Sequence, residues 1–210
     1  MLVPPDSSFL YQRMEADADR PLNLSTIRLL CQQVSRIAER HHIPWSLIGG
    51  AAVALHLGAL NHPAAETRCS CDLDVAALDV PNGTPIKWVS PLLAGGMIGK
   101  LSGKRIDWLV RKGAHEPLRF LQCRLIGSST PMFNGIPVAP PDALCALKLC
   151  IAPKGFRPKD RWDCRLLLAV GAATIPGITE WIEKTVSNRE IRDYSLRNLT
   201  QIEALHLTAA

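Results

Sequence analysis

"LIGGAAVALHLG", residues 47 to 58, is followed shortly by "RCSCDLDVAALD", residues 68 to 79. The first stretch reads as the end of a short strand, "WSLIGG", running into an alanine-rich helix. A strand that stops at Gly49 and Gly50 and turns straight into a helix presents bare N–H groups at a positive helix end. That geometry accepts phosphate, and glycine allows close approach because it has no Cβ. The second stretch alternates polar and apolar residues, as a half-buried strand does. Side chains of a strand alternate between faces, so Asp72 and Asp74 point one way while Leu73 and Val75 point into the core. Adjacent carboxylates repel unless something positive sits between them. Magnesium suits that place, since it prefers carboxylate oxygens together with substrate phosphates. Either half alone would be ordinary, a plain turn or a solvated edge strand. Together they describe two sides of one pocket.

A third element fits the same plan. In "RIDWLV", residues 105 to 110, Asp107 stands between Ile106 and Trp108 on an expected strand. If that strand lies beside residues 72 to 75, its carboxylate completes a three-acid cluster of the kind a two-metal phosphoryl-transfer site needs. Asp107 could then hold the second ion and accept a proton from an attacking hydroxyl.

The bulk properties bound these ideas. The chain has 210 residues, of which 47% are hydrophobic and 20% charged, so it can bury a real core and does not read as disordered. No apolar run reaches the roughly 18 residues of a membrane helix, and the N-terminus lacks a secretory pattern. The expectation is a cytoplasmic protein that does not enter the membrane. Seven cysteines include no Cys-x-x-Cys pair, and Cys145, Cys150 and Cys164 lie among apolar residues as small buried hydrophobes would. A net charge of +5 suits an anionic partner such as nucleotide phosphate or RNA. No phosphate-binding loop of the Gly-x-x-x-x-Gly-Lys type and no serine nucleophile elbow is present.

Working outward, Asn23 or Ser25 caps a helix expected from Thr26 to His41, and a short helix is expected near Phe9 to Ala16. Residues 58 to 68 read as a loop. Short strands are expected near Ile86 to Val89 and Met97 to Leu101, with "SGK" as a tight turn into the strand bearing Asp107. "HEPLRFLQCRLI" reads as a helix, and "NGIPVAPPDALCALKLCIA" as turn, strand and helix. "DRWDCRLLLAVG" is a helix stopped by Gly171, and two more helices follow.

Taken together, "LIGGAAVALHLG", "RCSCDLDV" and "RIDWLV" resemble the minimal signature of the DNA polymerase β-like nucleotidyltransferase superfamily. The lead-in Arg68-x-Ser70-x-Asp72 is similar to the form found in its abortive-infection toxin-like (AbiEii-like) branch. So is "PDALCALKLCIAPKGFRPKDRWD", a helix bearing lysine followed by an acidic motif.

The resemblance implies an α/β (α+β) fold of polymerase β type: a small mixed sheet flanked by helices, with a helical C-terminal region. A loose segment over residues 1–22, a nucleotidyltransferase core over 23–140 and packed helices over 141–210 are expected. It further implies that Asp72, Asp74 and Asp107 are the catalytic, metal-holding residues, with two Mg²⁺ ions. Gly49, Gly50, Arg68, Ser70, Lys148, Lys159, Asp160 and Asp163 would bind the nucleotide.

From the residues alone, Lys148 reads equally as a snorkelling side chain, and Asp160 and Asp163 as partners of nearby arginines. The implied activity is transfer of a nucleoside monophosphate from a nucleoside triphosphate such as ATP to a hydroxyl of RNA or protein. A toxin neutralised by an antitoxin is one setting for it. A small-molecule acceptor of the antibiotic kind, or a member that only binds nucleotide or a partner, are the alternatives.

Overall fold

The structure is a computed structural model that describes residues 21–67, 70–92, 95–111, 118–151 and 157–207. The expected helix near Phe9 to Ala16 lies outside them, as does Arg68. Within them the chain forms eight helices and one mixed sheet of seven strands.

Helix α1 (Leu24–Arg40) starts where Asn23 accepts a hydrogen bond from the Thr26 amide at 2.9 Å. Its stripe of Ile27, Leu30, Cys31, Val34, Ile37 and Ala38 is buried. Strand β1 (Trp45–Leu47) leads into α2 (Gly49–Ala59), which is apolar nearly all round and lies inside the molecule. A single turn, α3 (Ala64–Thr67), interrupts the expected loop, and His62 Nδ1 accepts from the Ala64 amide at its start. Strand β2 (Asp72–Ala77) follows, then β3 (Lys87–Pro91), β4 (Gly96–Leu101) and β5 (Lys104–Leu109). The turn between β4 and β5 places Ser102 and Gly103 at positive φ, the conformation of a tight two-residue hairpin.

Helix α4 (Arg119–Gly127) crosses the sheet. The hairpin of β6 (Thr130–Met132) and β7 (Ile136–Val138) then delivers the chain to α5 (Pro141–Cys150), which opens on a proline. The remaining helices are α6 (Pro158–Ala169), α7 (Ile175–Thr185) and α8 (Arg189–Leu207). Gly171, at φ +69°, ends the α6 segment, and Thr174 caps α7.

The strand order is β3-β4-β5-β2-β1-β7-β6. The central pair, β2 and β5, is parallel, while β1 runs antiparallel to β2 and parallel to β7. Leu73, Val75, Ile106 and Trp108 are fully buried beneath this centre, and the Trp108 indole donates to Asp79 O at 2.7 Å. Helix α5 packs against α2, α7 and α8, so one hydrophobic cluster extends from Leu22 to Ile202. Cys145, Cys150 and Cys164 are buried free thiols within it. Among the described residues no helix is long and apolar enough to cross a membrane.

Candidate metal and nucleotide site

Parallel pairing of β2 with β5 sets Asp74 directly opposite Asp107, and Asp72 opposite Arg105. Side chains of paired residues share a face. One carboxylate oxygen from each of Asp72, Asp74 and Asp107 therefore lies within 4.8 Å of the others. The three-acid cluster expected from sequence is assembled by this register.

Its electrostatics are unbalanced. The Asp74 carboxyl is pushed up to about 8, first by desolvation, then by Asp72 and Asp107, with Lys148 and Lys159 pulling the other way. Burial likewise raises Asp107, against the opposing pull of Arg105. Arg105 grips Asp107 bidentately, Nε to Oδ1 at 2.7 Å and Nη2 to Oδ2 at 2.8 Å. Asp72 Oδ1 accepts from the Ser70 hydroxyl at 3.2 Å.

The glycine pair closes the other side. Gly49 has φ +69°, and a Cβ placed there would stand 1.8 Å from Asp74 Oδ2. The Ile48 amide donates to Asp74 O at 3.0 Å, fixing the end of β1 against β2. Helix α2 starts with no side-chain cap, and Gly50 sits in its first turn. Uncapped first-turn amides thus begin beside the carboxylates, at the positive end of an apolar helix.

The later motif arranges itself differently from a set of separate phosphate contacts. Lys148, on α5, is buried, and its Nζ lies 3.0 Å from Asp160 Oδ1 and 2.7 Å from Asp163 Oδ2. Both carboxylates, on α6, are fully buried. Arg157 takes the second oxygen of Asp160. Lys148 does not snorkel; it ties α6 to α5. Its two acidic partners hold its ammonium above the ordinary lysine range against the downward pull of burial. Lys159, between the two aspartates in sequence, is exposed, and its charge reaches Asp74 and Asp107. Ser70 is buried against Asp72, and Arg68 lies outside the described residues.

Arg105 was not among the residues singled out from sequence. Its signal was the Arg-Ile-Asp alternation, which puts Arg105 and Asp107 on one face of β5. His56, on α2, reaches across 83 positions to Ala139 O at 2.8 Å. Burial lowers its pKa, in keeping with a neutral ring that donates from Nε2.

The cluster fits a divalent ion. Its donors are hard carboxylate oxygens gathered closely enough to share a cation, and the charges that reach Asp74 do not offset its burial. The uncapped helix start beside it suits a phosphate.

No family model and no curated protein matches this sequence. Solved structures do resemble it. The solution structure of the antibiotic-resistance factor ANT(2'')-Ia superposes with a TM-score of 0.50 at 16% identity, over 88% of this chain and 98% of that one. An antigenic nucleotidyltransferase-like protein from Paracoccidioides brasiliensis gives a TM-score of 0.50 at 16% identity, over 87% of this chain and 90% of that one. At this identity the likeness is one of fold, and the fold is of nucleotidyltransferase type.

Proposed function

We propose that the chain is a divalent-metal-dependent nucleotidyltransferase that moves a nucleoside monophosphate from a nucleoside triphosphate to a hydroxyl. The observation that carries this reading is the meeting of Asp72, Asp74 and Asp107 on adjacent strands, against the bare helix start at Gly49. The acceptor oxygen forms a bond to the α-phosphorus as the bond to the β-phosphate bridge breaks, and pyrophosphate leaves with that electron pair. The hydroxyl proton passes to the Asp107 carboxylate. Asp72, Asp74 and Asp107 would hold Mg²⁺, which when bound neutralises phosphate charge and supports the attacking oxygen. Gly49 and Gly50 seat the triphosphate on the α2 amides. Lys148, Asp160 and Asp163 hold α6 from within, and with it the Lys159 charge that reaches Asp74 and Asp107.

For the acceptor, the resemblance of "RCSCDLDV" and "RPKDRWD" to the AbiEii-like branch supports RNA or protein, with a cognate antitoxin as partner. The likeness of fold to an antibiotic-resistance factor supports a second reading, a small-molecule hydroxyl. Each α-labelled triphosphate, Mg²⁺ and total RNA or lysate should be incubated with wild type and with the Asp72→Ala, Asp74→Ala double variant. Label carried to RNA or protein by wild type alone is the expected result. Equal labelling by both proteins would end the enzymatic reading, and label found only on an added antibiotic-type small molecule would favour the second.

A further inference from the structure

Helix α6 has two unlike sides. Its carboxylates, Asp160 and Asp163, are both turned inward onto Lys148. The outward side carries Lys159, Trp162 and Arg165, spaced three residues apart and so adjacent along the helix surface. Trp162 is 57% exposed, whereas Trp45, Trp108 and Trp181 are buried and Trp88 is half-buried. Scattered exposed apolar residues such as Leu29 and Val89 are ordinary on a protein surface. Trp162 differs by its neighbours. Among the described residues, cations cap the rings of Phe133 and Trp181, and Trp88 meets Trp108 edge to face, while no ring or cation covers Trp162. One turn toward the helix start, Lys159 lies within electrostatic reach of Asp74 and Asp107.

We propose that Trp162 is a stacking platform for a base of a single-stranded nucleic acid, with Lys159 and Arg165 against the flanking phosphates. The strand so held leads toward the carboxylates of β2 and β5, where its terminal hydroxyl is the acceptor. That last clause rests on the nucleotidyl-transfer reading; the binding itself does not. A free nucleotide is recognised by enclosure of most of its surface. Trp162 instead offers an exposed ring beside backbone-neutralising cations, the combination that holds single strands without sequence preference.

Binding of a short fluorescein-labelled oligouridylate, followed by anisotropy without triphosphate, tests the platform. Trp162→Ala should weaken it by about five- to a hundred-fold and Trp162→Phe by less. Binding of Mg²⁺–ATP, followed by thermal shift, should be unchanged in both variants. In wild type, unlabelled oligouridylate should shield the exposed tryptophan emission from acrylamide, a readout that needs no variant to fold. Unchanged oligonucleotide affinity in Trp162→Ala, or no shielding in wild type, would overturn the proposal. So would equal losses for ATP and oligonucleotide, which would make Trp162 a seat for the donor base. A tenfold loss of strand binding in a protein that labels nothing would sink the transfer reading and leave the platform standing.

Discussion

Gly49 and Asp74 are in such close contact that no other residue fits at position 49: an added Cβ would lie 1.8 Å from the Asp74 carboxylate. The backbone adds a second constraint, because Gly49 has φ +69°, where L side chains are strained by about 1–2 kcal/mol. Gly49→Ala should therefore destabilise the fold by about 2 kcal/mol or more, measured by urea denaturation. It should also displace Asp74 and abolish transfer. Wild-type stability in that variant would contradict the contact.

Asp74 also makes stability depend on pH. Its carboxyl is raised from an ordinary value of 3.8 to about 8, so between those values the folded chain holds a proton that the unfolded chain has released. Stability of the metal-free protein is then greatest below about pH 4 as far as this group decides it, and falls as pH rises toward 8. The slope is on the order of 1 kcal/mol per pH unit where Asp74 alone titrates. Asp74→Asn should flatten the curve. Mg²⁺ should restore wild-type stability at pH 8, and chelation should remove that gain.

Lys148 answers for two buried carboxylates at once. Lys148→Ala would leave Asp160 and Asp163 facing each other without their shared cation, which costs about 3–5 kcal/mol when one partner of a buried ionic group is lost. Thermal unfolding should show this loss before any activity is assayed. The triple variant Lys148→Met, Asp160→Asn, Asp163→Asn should recover much of it, since the charge problem disappears.

Arg105 favours the ionised form of Asp107, so its removal should push that carboxyl higher still. In Arg105→Gln the acid limb of the pH–rate profile should move to higher pH. A profile that does not move would mean that Asp107 does not set that limb.

The acidic centre was legible because strand alternation is local: Asp72 and Asp74 could be assigned one face with no knowledge of the neighbouring strand. Asp107 needed a partner strand, and its pairing with Asp74 is a long-range fact visible only in the register. Lys148 was ambiguous for the same reason. A lysine between leucines on an apolar helix looks alike whether it reaches solvent or a buried acid on the next helix. Helix α3 is four residues long, too short for any period to register. Strand β6 is three residues with Pro131 at its centre, a pattern that argues against a strand unless it lies at a sheet edge, where proline is tolerated.

The sheet order carries a practical consequence. Both outermost strands, β3 and β6, lack any residue of the proposed site, whereas β2 and β5 stand inboard. Asn82, in the bend leading to β3, is exposed, and the space beside it at Gly83 is open. A purification handle or fluorophore grafted there would leave the chemistry undisturbed while reporting on the whole molecule.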